Sequence, residues 1–304
     1  MIELDGVGKT YRSLTGREVR AIEQLTMRVP AGEVLGIAGP NGAGKSTLIS
    51  LLLGYLLPTE GTVRIRGLAP RAYVERFGVG YLSELVDVNG RWGLAEALTR
   101  VAVLSGVPDG ELALRVDEVV DRLGLDEHRD KPVRALSKGN RQRLGLAQAL
   151  LRGEELFILD EPTHGLDPLW TARFREIVAS LRDPRRTILI ASHNLEELER
   201  LCDRVAILDR GQLQRVVEVT RVLPMTSAVV YRLTVVRGVD HVSAVFPGAE
   251  ELGRGDWAVS AAGLVELNEK LGMLIARGAL LAGVAPAQSA LELQFQEAIA
   301  EVTL

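Results

Sequence analysis

The sequence predicts an α/β protein in which strands of a largely parallel sheet alternate with helices, followed by a smaller α+β domain. Three features carry that expectation. Short apolar runs at 33–38, 79–82, 156–160, 187–191 and 205–209 read as strands buried on both faces. Helix-length segments separate most of them, which favours parallel pairing. Beyond Arg215 the texture shifts to shorter strands and helices in a different order.

Taken along the chain, EVLGIA at 33–38 feeds a glycine-rich turn and then 46–55, an apolar segment long enough for a helix. LPTEG at 57–61 is a turn, TVRIR at 62–66 alternates as a half-buried strand does, and 79–82 is a short buried strand. Between 93 and 123 the apolar spacing is helical with no strand candidate, so this block reads as a helical insertion within a subdomain of about 84–142. Ser137 is placed as the N-cap of a helix over 138–151. The strands LFILD, TILIA and VAILD then alternate with helices over 170–181 and 195–202. Past Arg215 the reading is strand 228–236, short helix 239–245, strands 250–253 and 256–260 across a turn, helix 264–276 and strand 279–284. That order, β-α-β-β-α-β, is the ferredoxin-like arrangement, and 291–302 adds a terminal helix. The expected domains are therefore 1–215 and 216–304.

Composition narrows the class. With 304 residues, 47% hydrophobic and 25% charged, the chain has the balance of a globular protein with room for two domains. A single cysteine, Cys202, rules out an internal disulfide framework and suggests a reducing compartment. No run reaches the roughly 20 apolar residues of a spanning helix, and MIELDGVGKTYR has neither a basic nor an apolar leader region, so the expected address is cytoplasmic. Of 36 basic and 40 acidic residues, 6 and 10 lie beyond Arg215, leaving 30 of each sign before it. With no basic excess to neutralise a phosphate backbone, nucleic acid is not an expected partner.

Two motifs carry chemistry. Gly39, Pro40, Asn41, Gly42, Ala43, Gly44, Lys45 and Ser46 fit G-x-x-x-x-G-K-[ST] between a predicted strand and a predicted helix, the context that a phosphate-binding loop requires. The glycines permit backbone shapes that turn several N–H groups toward one anion, and the helix N-terminus favours negative charge. Lys45 would hold the β- and γ-phosphates of a nucleotide, the adjoining Thr47 extends the loop into the helix, and the Ser46 hydroxyl would ligate Mg²⁺. The strand LFILDEP ends in adjacent acids whose side chains alternate in direction. Asp160 is assigned to Mg²⁺ and Glu161 to the attacking water.

Between these motifs, Leu136, Ser137, Lys138, Gly139 and Asn140 resemble the LSGGQ signature of the ATP-binding cassette (ABC) transporters in its LSKG form, and the chain is identified as similar to their ATPase subunit over residues 1–215. The resemblance implies a P-loop NTPase cassette with a mixed, largely parallel sheet. It implies that Ser137 and Gly139 close over ATP held by a second, identical ATPase subunit, so that two chains sandwich two nucleotides head to tail. It further implies that Tyr11 stacks on adenine, that His193 contacts the γ-phosphate, and that Gly165, Leu166 and Asp167 form the loop crossing the dimer interface. His128, His164 and His241 have no metal-ligand spacing and are expected to be structural or surface residues.

Departures from the family are Glu84 in place of a Gln that binds Mg²⁺, and Lys138 and Asn140 in place of Gly and Gln. The LSKG form, the C-terminal extension and the ending SALELQFQEAIAEVT resemble bacterial drug and polysaccharide exporters, whose ATPase works from the inner face of the membrane on a separate transmembrane permease. The other readings are a non-transport ABC ATPase that remodels a protein or nucleic-acid complex, and a small-molecule kinase, which leaves the signature unexplained.

Overall fold

The computed structural model describes residues 1–12, 18–219, 229–287 and 290–300. By contact, the chain divides into two compact units, the first covering residues 1–219 and the second the part that follows. The first opens with strands β1 (Ile2–Arg12) and β2 (Glu18–Val29), then β3 (Val34–Ala38), helix α1 (Lys45–Leu52), β4 (Glu60–Ile65), α2 (Pro70–Phe77) and β5 (Gly80–Leu82). Helices α3 (Leu94–Leu104), α4 (Leu112–Arg122) and α5 (Lys138–Leu150) follow without an intervening strand. The unit closes with β6 (Leu156–Asp160), α6 (Pro168–Leu181), β7 (Thr187–Ser192), α7 (Leu195–Leu201), β8 (Arg204–Asp209) and β9 (Gln212–Glu218).

Two sheets share the core of this unit. Strands β5, β6, β7, β3 and β8 pair in parallel in that order, and β9 adds an antiparallel edge. Every residue of β3, β6 and β7 is buried, as expected of strands covered on both faces. A second, antiparallel sheet orders β2, β1 and β4. Leu35, Ile37, Leu48, Ile158 and Leu189 join Ile2, Leu25 and Tyr73 in one hydrophobic cluster. Burial of each such side chain is worth about 1.5–3 kcal/mol. Because β3 lies between β7 and β8, the loop leaving it emerges at the centre of the sheet, beside the ends of β6 and β7.

Four elements escaped the sequence reading, each for a physical reason. The alternation of β1 is broken by a register shift past Leu4, where Gly6 takes φ 55°, and β2 carries Gln24 at φ 44°. Helix α2 is a short helix of eight residues, three of them charged (Arg71, Glu75 and Arg76), with one buried side chain, Tyr73. Strand β9 is an edge strand with only Val217 fully buried, so it lacks the apolar run of its neighbours. Boundaries moved as well: the helix expected at 46–55 ends at Leu52 and is followed by Gly54 at φ 72°.

The second unit contains β10 (Val229–Arg237), a 3₁₀ turn running into α8 (Val242–Val245), β11 (Glu250–Gly253), β12 (Asp256–Ala261), α9 (Leu264–Ala276), β13 (Leu280–Pro286) and α10 (Ala290–Ala300). Its sheet is antiparallel with order β11-β12-β10-β13, so the first and third strands of the β-α-β-β-α-β series lie at the centre. This is the small ferredoxin-like fold expected. Alternation explains its core: Tyr231, Leu233 and Val235 of β10 pack with Val259, Phe246, Leu267 and Leu274. Ala228, the first residue of an expected strand, and residues 301–302 of the expected last helix lie outside the described residues.

Candidate functional site

The phosphate loop is shaped by two glycines in left-handed backbone conformations. Gly42 has φ 84° and Gly44 φ 104°, and a Cβ on Gly44 would stand 2.6 Å from the Ala21 carbonyl oxygen. Gly44 is the N-cap of α1 and supplies no side-chain acceptor, so the first N–H groups of the helix stay available to an anion. Lys45 is buried and its Nζ donates to the carbonyls of Gly39 (2.7 Å) and Pro40 (3.2 Å). The loop therefore holds its own cation. Asn41 through Thr47 line a cavity of about 520 Å³ together with Val19, Arg20, Ala21, Glu84, Asp160, Glu161, His164 and His193. Uncapped N–H donors, a helix dipole and a buried ammonium together suit a polyphosphate.

The acids stand opposite. Asp160 ends β6 and is buried, which pushes its carboxyl up to about 6, with the nearby Glu84 and Glu161 adding to the rise and Lys45 opposing it. Glu161 takes φ 47°, unusual for a side-chain-bearing residue, and its N–H donates 2.8 Å to the Ala191 carbonyl. Its Oε1 accepts from the His193 backbone N–H (3.0 Å) and from Nδ1–H (2.8 Å), and its Oε2 accepts from Ser192 Oγ (3.2 Å). Three donors on β7 and the turn after it thus orient one carboxylate. The residues fit Mg²⁺ as well: Ser46, Asp160 and Glu84 offer oxygen donors beside the phosphate cradle, and a hard cation with phosphate and water completing its shell needs few protein ligands.

A family model described as ABC transporter matches residues 22–164. The chain is 42% identical over 214 residues to an uncharacterized ABC transporter ATP-binding protein of Nostoc sp., covering 67% of this chain and 62% of that protein. It is 36% identical over 231 residues to the methionine import ATP-binding protein MetN of Xanthomonas euvesicatoria, covering 73% and 68%. This chain belongs to the ABC transporter family. A Nod factor export ATP-binding protein of Ralstonia nicotianae is 33% identical over 214 residues, covering 70% and 65%. The chain spans about three-fifths of the length of the first two curated relatives it matches. A solved ABC transporter ATP-binding subunit superposes with a TM-score of 0.64 at 27% identity, covering 72% of this chain and 90% of that one. A dimeric cassette in a post-hydrolysis state with ADP and Pi shares the fold, with a TM-score of 0.67 at 21% identity, covering 73% and 100%.

In this ABC cassette, not every expected site residue reaches the phosphate cavity. Tyr11 is exposed at the end of β1 and does not line it, but its strand partner Val19 does. Ser137 and Gly139 line a separate recess of about 360 Å³ with Asn140, Arg143, Gly165, Leu166, Asp167 and Trp170. Ser137 caps α5, its Oγ accepting from the Asn140 N–H at 3.2 Å. Arg143 stacks its guanidinium 4.0 Å from the Trp170 ring centroid and bonds the Asn140 side chain, which orients the residue that replaces the family Gln.

Three contributors went unrecognised in the sequence. Ser192 directly follows the predicted strand and precedes His193, a cue to a hydroxyl at the strand end. His164, expected to be structural or surface, is exposed but lines the phosphate cavity. Gln142 is buried in α5, its Nε2 donating to the carbonyls of Glu161 (3.0 Å) and Pro162 (3.1 Å). Gln142→Ala removes the side-chain donor from the Pro162 carbonyl, while the Glu161 carbonyl keeps the His164 N–H, and we expect a loss of about 1–3 kcal/mol in unfolding free energy, measured by urea denaturation.

Proposed function

We propose that this chain is an ATP-hydrolysing subunit that works as a head-to-tail pair of identical copies and drives a separate transmembrane permease from the inner face of the cell membrane, in the export direction. One observation carries the reading. Two phosphate-suited surfaces occur in the same unit but line different cavities: the loop at Lys45, and the α5 N-terminus at Ser137 and Gly139. A pair of chains that each lends its α5 end to the other's loop uses both surfaces.

In this reading Lys45 and the α1 N-terminus hold the phosphates, and Ser46, Asp160 and Glu84 hold Mg²⁺, which when bound offsets charge on the phosphate oxygens. Glu161 takes the proton of the attacking water, and His193 keeps its carboxylate aimed. Tyr11 stands beyond the cavity wall on the strand pair that would carry the adenine. Among the described residues no helix is long and apolar enough to cross a membrane, so the transport step is assigned to another polypeptide. The LSKG form of the signature and the C-terminal unit support export, while the likeness to both import and export proteins makes direction the sharper test.

Ser137→Arg places a bulky cation where the second surface should meet phosphate. We expect it to abolish ATP-dependent pairing on gel filtration while each chain still binds ATP. Affinity isolation from membranes should recover a polytopic partner, and inside-out vesicles carrying both should take up its substrate on adding ATP. Recovery of only soluble complexes would exclude the transport role.

A further inference from the structure

The contacts of α5 point to a function for two residues that the catalytic scheme leaves out. Helix α5 grips the segment after β6 at two points one turn apart. Gln142 bonds the Glu161 and Pro162 carbonyls, and four residues earlier Lys138 Nζ lies 2.9 Å from His164 Nε2. An ammonium has no lone pair, so Lys138 donates and the His164 ring accepts at Nε2. His164 is tied back to the catalytic acid as well, its backbone N–H donating 3.0 Å to the Glu161 carbonyl. The stem of Lys138 lies over Gly165: a Cβ there would fall 2.9 Å from its Cδ and Cε, and Gly165 has φ 82°. A side chain at 165 would push Lys138 off the histidine.

The two partners belong to different sites. His164 lines the phosphate cavity and Lys138 lines the recess that holds Ser137. We propose that Lys138 and His164 form a positioning clasp that ties the α5 N-terminus, offered to the second copy, to the segment carrying Glu161 in the chain's own cavity. The inference rests on the head-to-tail reading and adds a pair that sets how firmly the two half-sites move together. It also gives Lys138, which stands where the family has Gly, a partner on the neighbouring loop. Both side chains are exposed in the single chain, where such a contact contributes little. Once a second copy covers them and excludes water, the same bond is stronger. Its effect therefore belongs to pairing and not to the fold of one chain.

The test uses the full chain in a Glu161→Gln background with Mg-ATP, reading the dimer dissociation constant by sedimentation. We expect His164→Ala and Lys138→Ala each to weaken pairing roughly three- to tenfold, the scale of one lost charge-assisted bond. The double variant should be no weaker than either single one. His164→Gln, whose amide oxygen accepts from Lys138, should recover most of the loss, and single-chain melting temperatures should be unchanged. Additive losses, an intact dimer in His164→Ala, or lowered melting in both single variants would overturn the clasp. Failure of the parent Glu161→Gln chain to pair would instead overturn the head-to-tail arrangement.

Discussion

Glu161→Gln is expected to bind ATP, to lose hydrolysis by about 10²–10⁴-fold and to accumulate as an ATP-bound dimer on gel filtration. The geometry separates the two functions of this side chain. As a scaffold, Glu161 accepts at Oε1 from the His193 N–H and Nδ1–H, and at Oε2 from the Ser192 hydroxyl. Glutamine keeps an oxygen for the histidine donors, and its amide nitrogen can donate to Ser192 Oγ because a hydroxyl also accepts. The left-handed turn at φ 47° and the Gln142 bonds to the main chain do not depend on the carboxylate. What disappears is a proton acceptor beside the phosphates. ATP then holds the pair closed without being consumed, and mass action favours the bound dimer. Rapid turnover by this variant, or a chain that stays single with ATP, would refute the role given to Glu161.

The legibility of this site in sequence follows from how local each part is. The phosphate loop is contiguous, and its glycines, lysine and flanking strand and helix all lie within 33–52; of the loop residues expected there, Asn41 to Thr47 line the cavity, while Gly39 and Pro40 do not line it and their carbonyls accept from Lys45. The parallel strands were equally legible because burial on both faces leaves unbroken apolar runs in β3, β6 and β7. Contacts made by chain segments far apart were not. Nothing near Gln142 announces that its side chain will cap carbonyls 19 and 20 residues away. His164 looked idle because a search for metal spacing cannot detect an imidazole that meets a lysine on another element. The antiparallel strands β1 and β2 hid for a related reason: their pairing tolerates bulges at Gly6 and near Gln24 that spoil a period of two.

Asp160→Asn is expected to make the chain more stable at neutral pH and unable to hydrolyse ATP. Burial, with Glu84 and Glu161 nearby, raises this carboxyl from the ordinary 3.8 to about 6 in the folded protein. Between those values the folded chain binds more protons at this site than the unfolded chain, so its contribution falls as pH rises through the window and the penalty is complete above it. Asparagine keeps the shape and removes the charge. The gain at pH 8 should be about 1–3 kcal/mol, read as higher urea midpoints in EDTA, and it should shrink at pH 5, where the native carboxylate is already largely protonated. Hydrolysis should fall together with that gain, because the charge that destabilises the empty fold is the one available to Mg²⁺ beside the phosphates. The Glu84 substitution sharpens the conflict: a neutral amide there would not repel Asp160, so Glu84→Gln should recover part of the same stability while leaving Asp160 in place. An Asp160→Asn chain that is less stable than the parent at pH 8 would show that the carboxylate is held by favourable contacts and not merely tolerated for its charge.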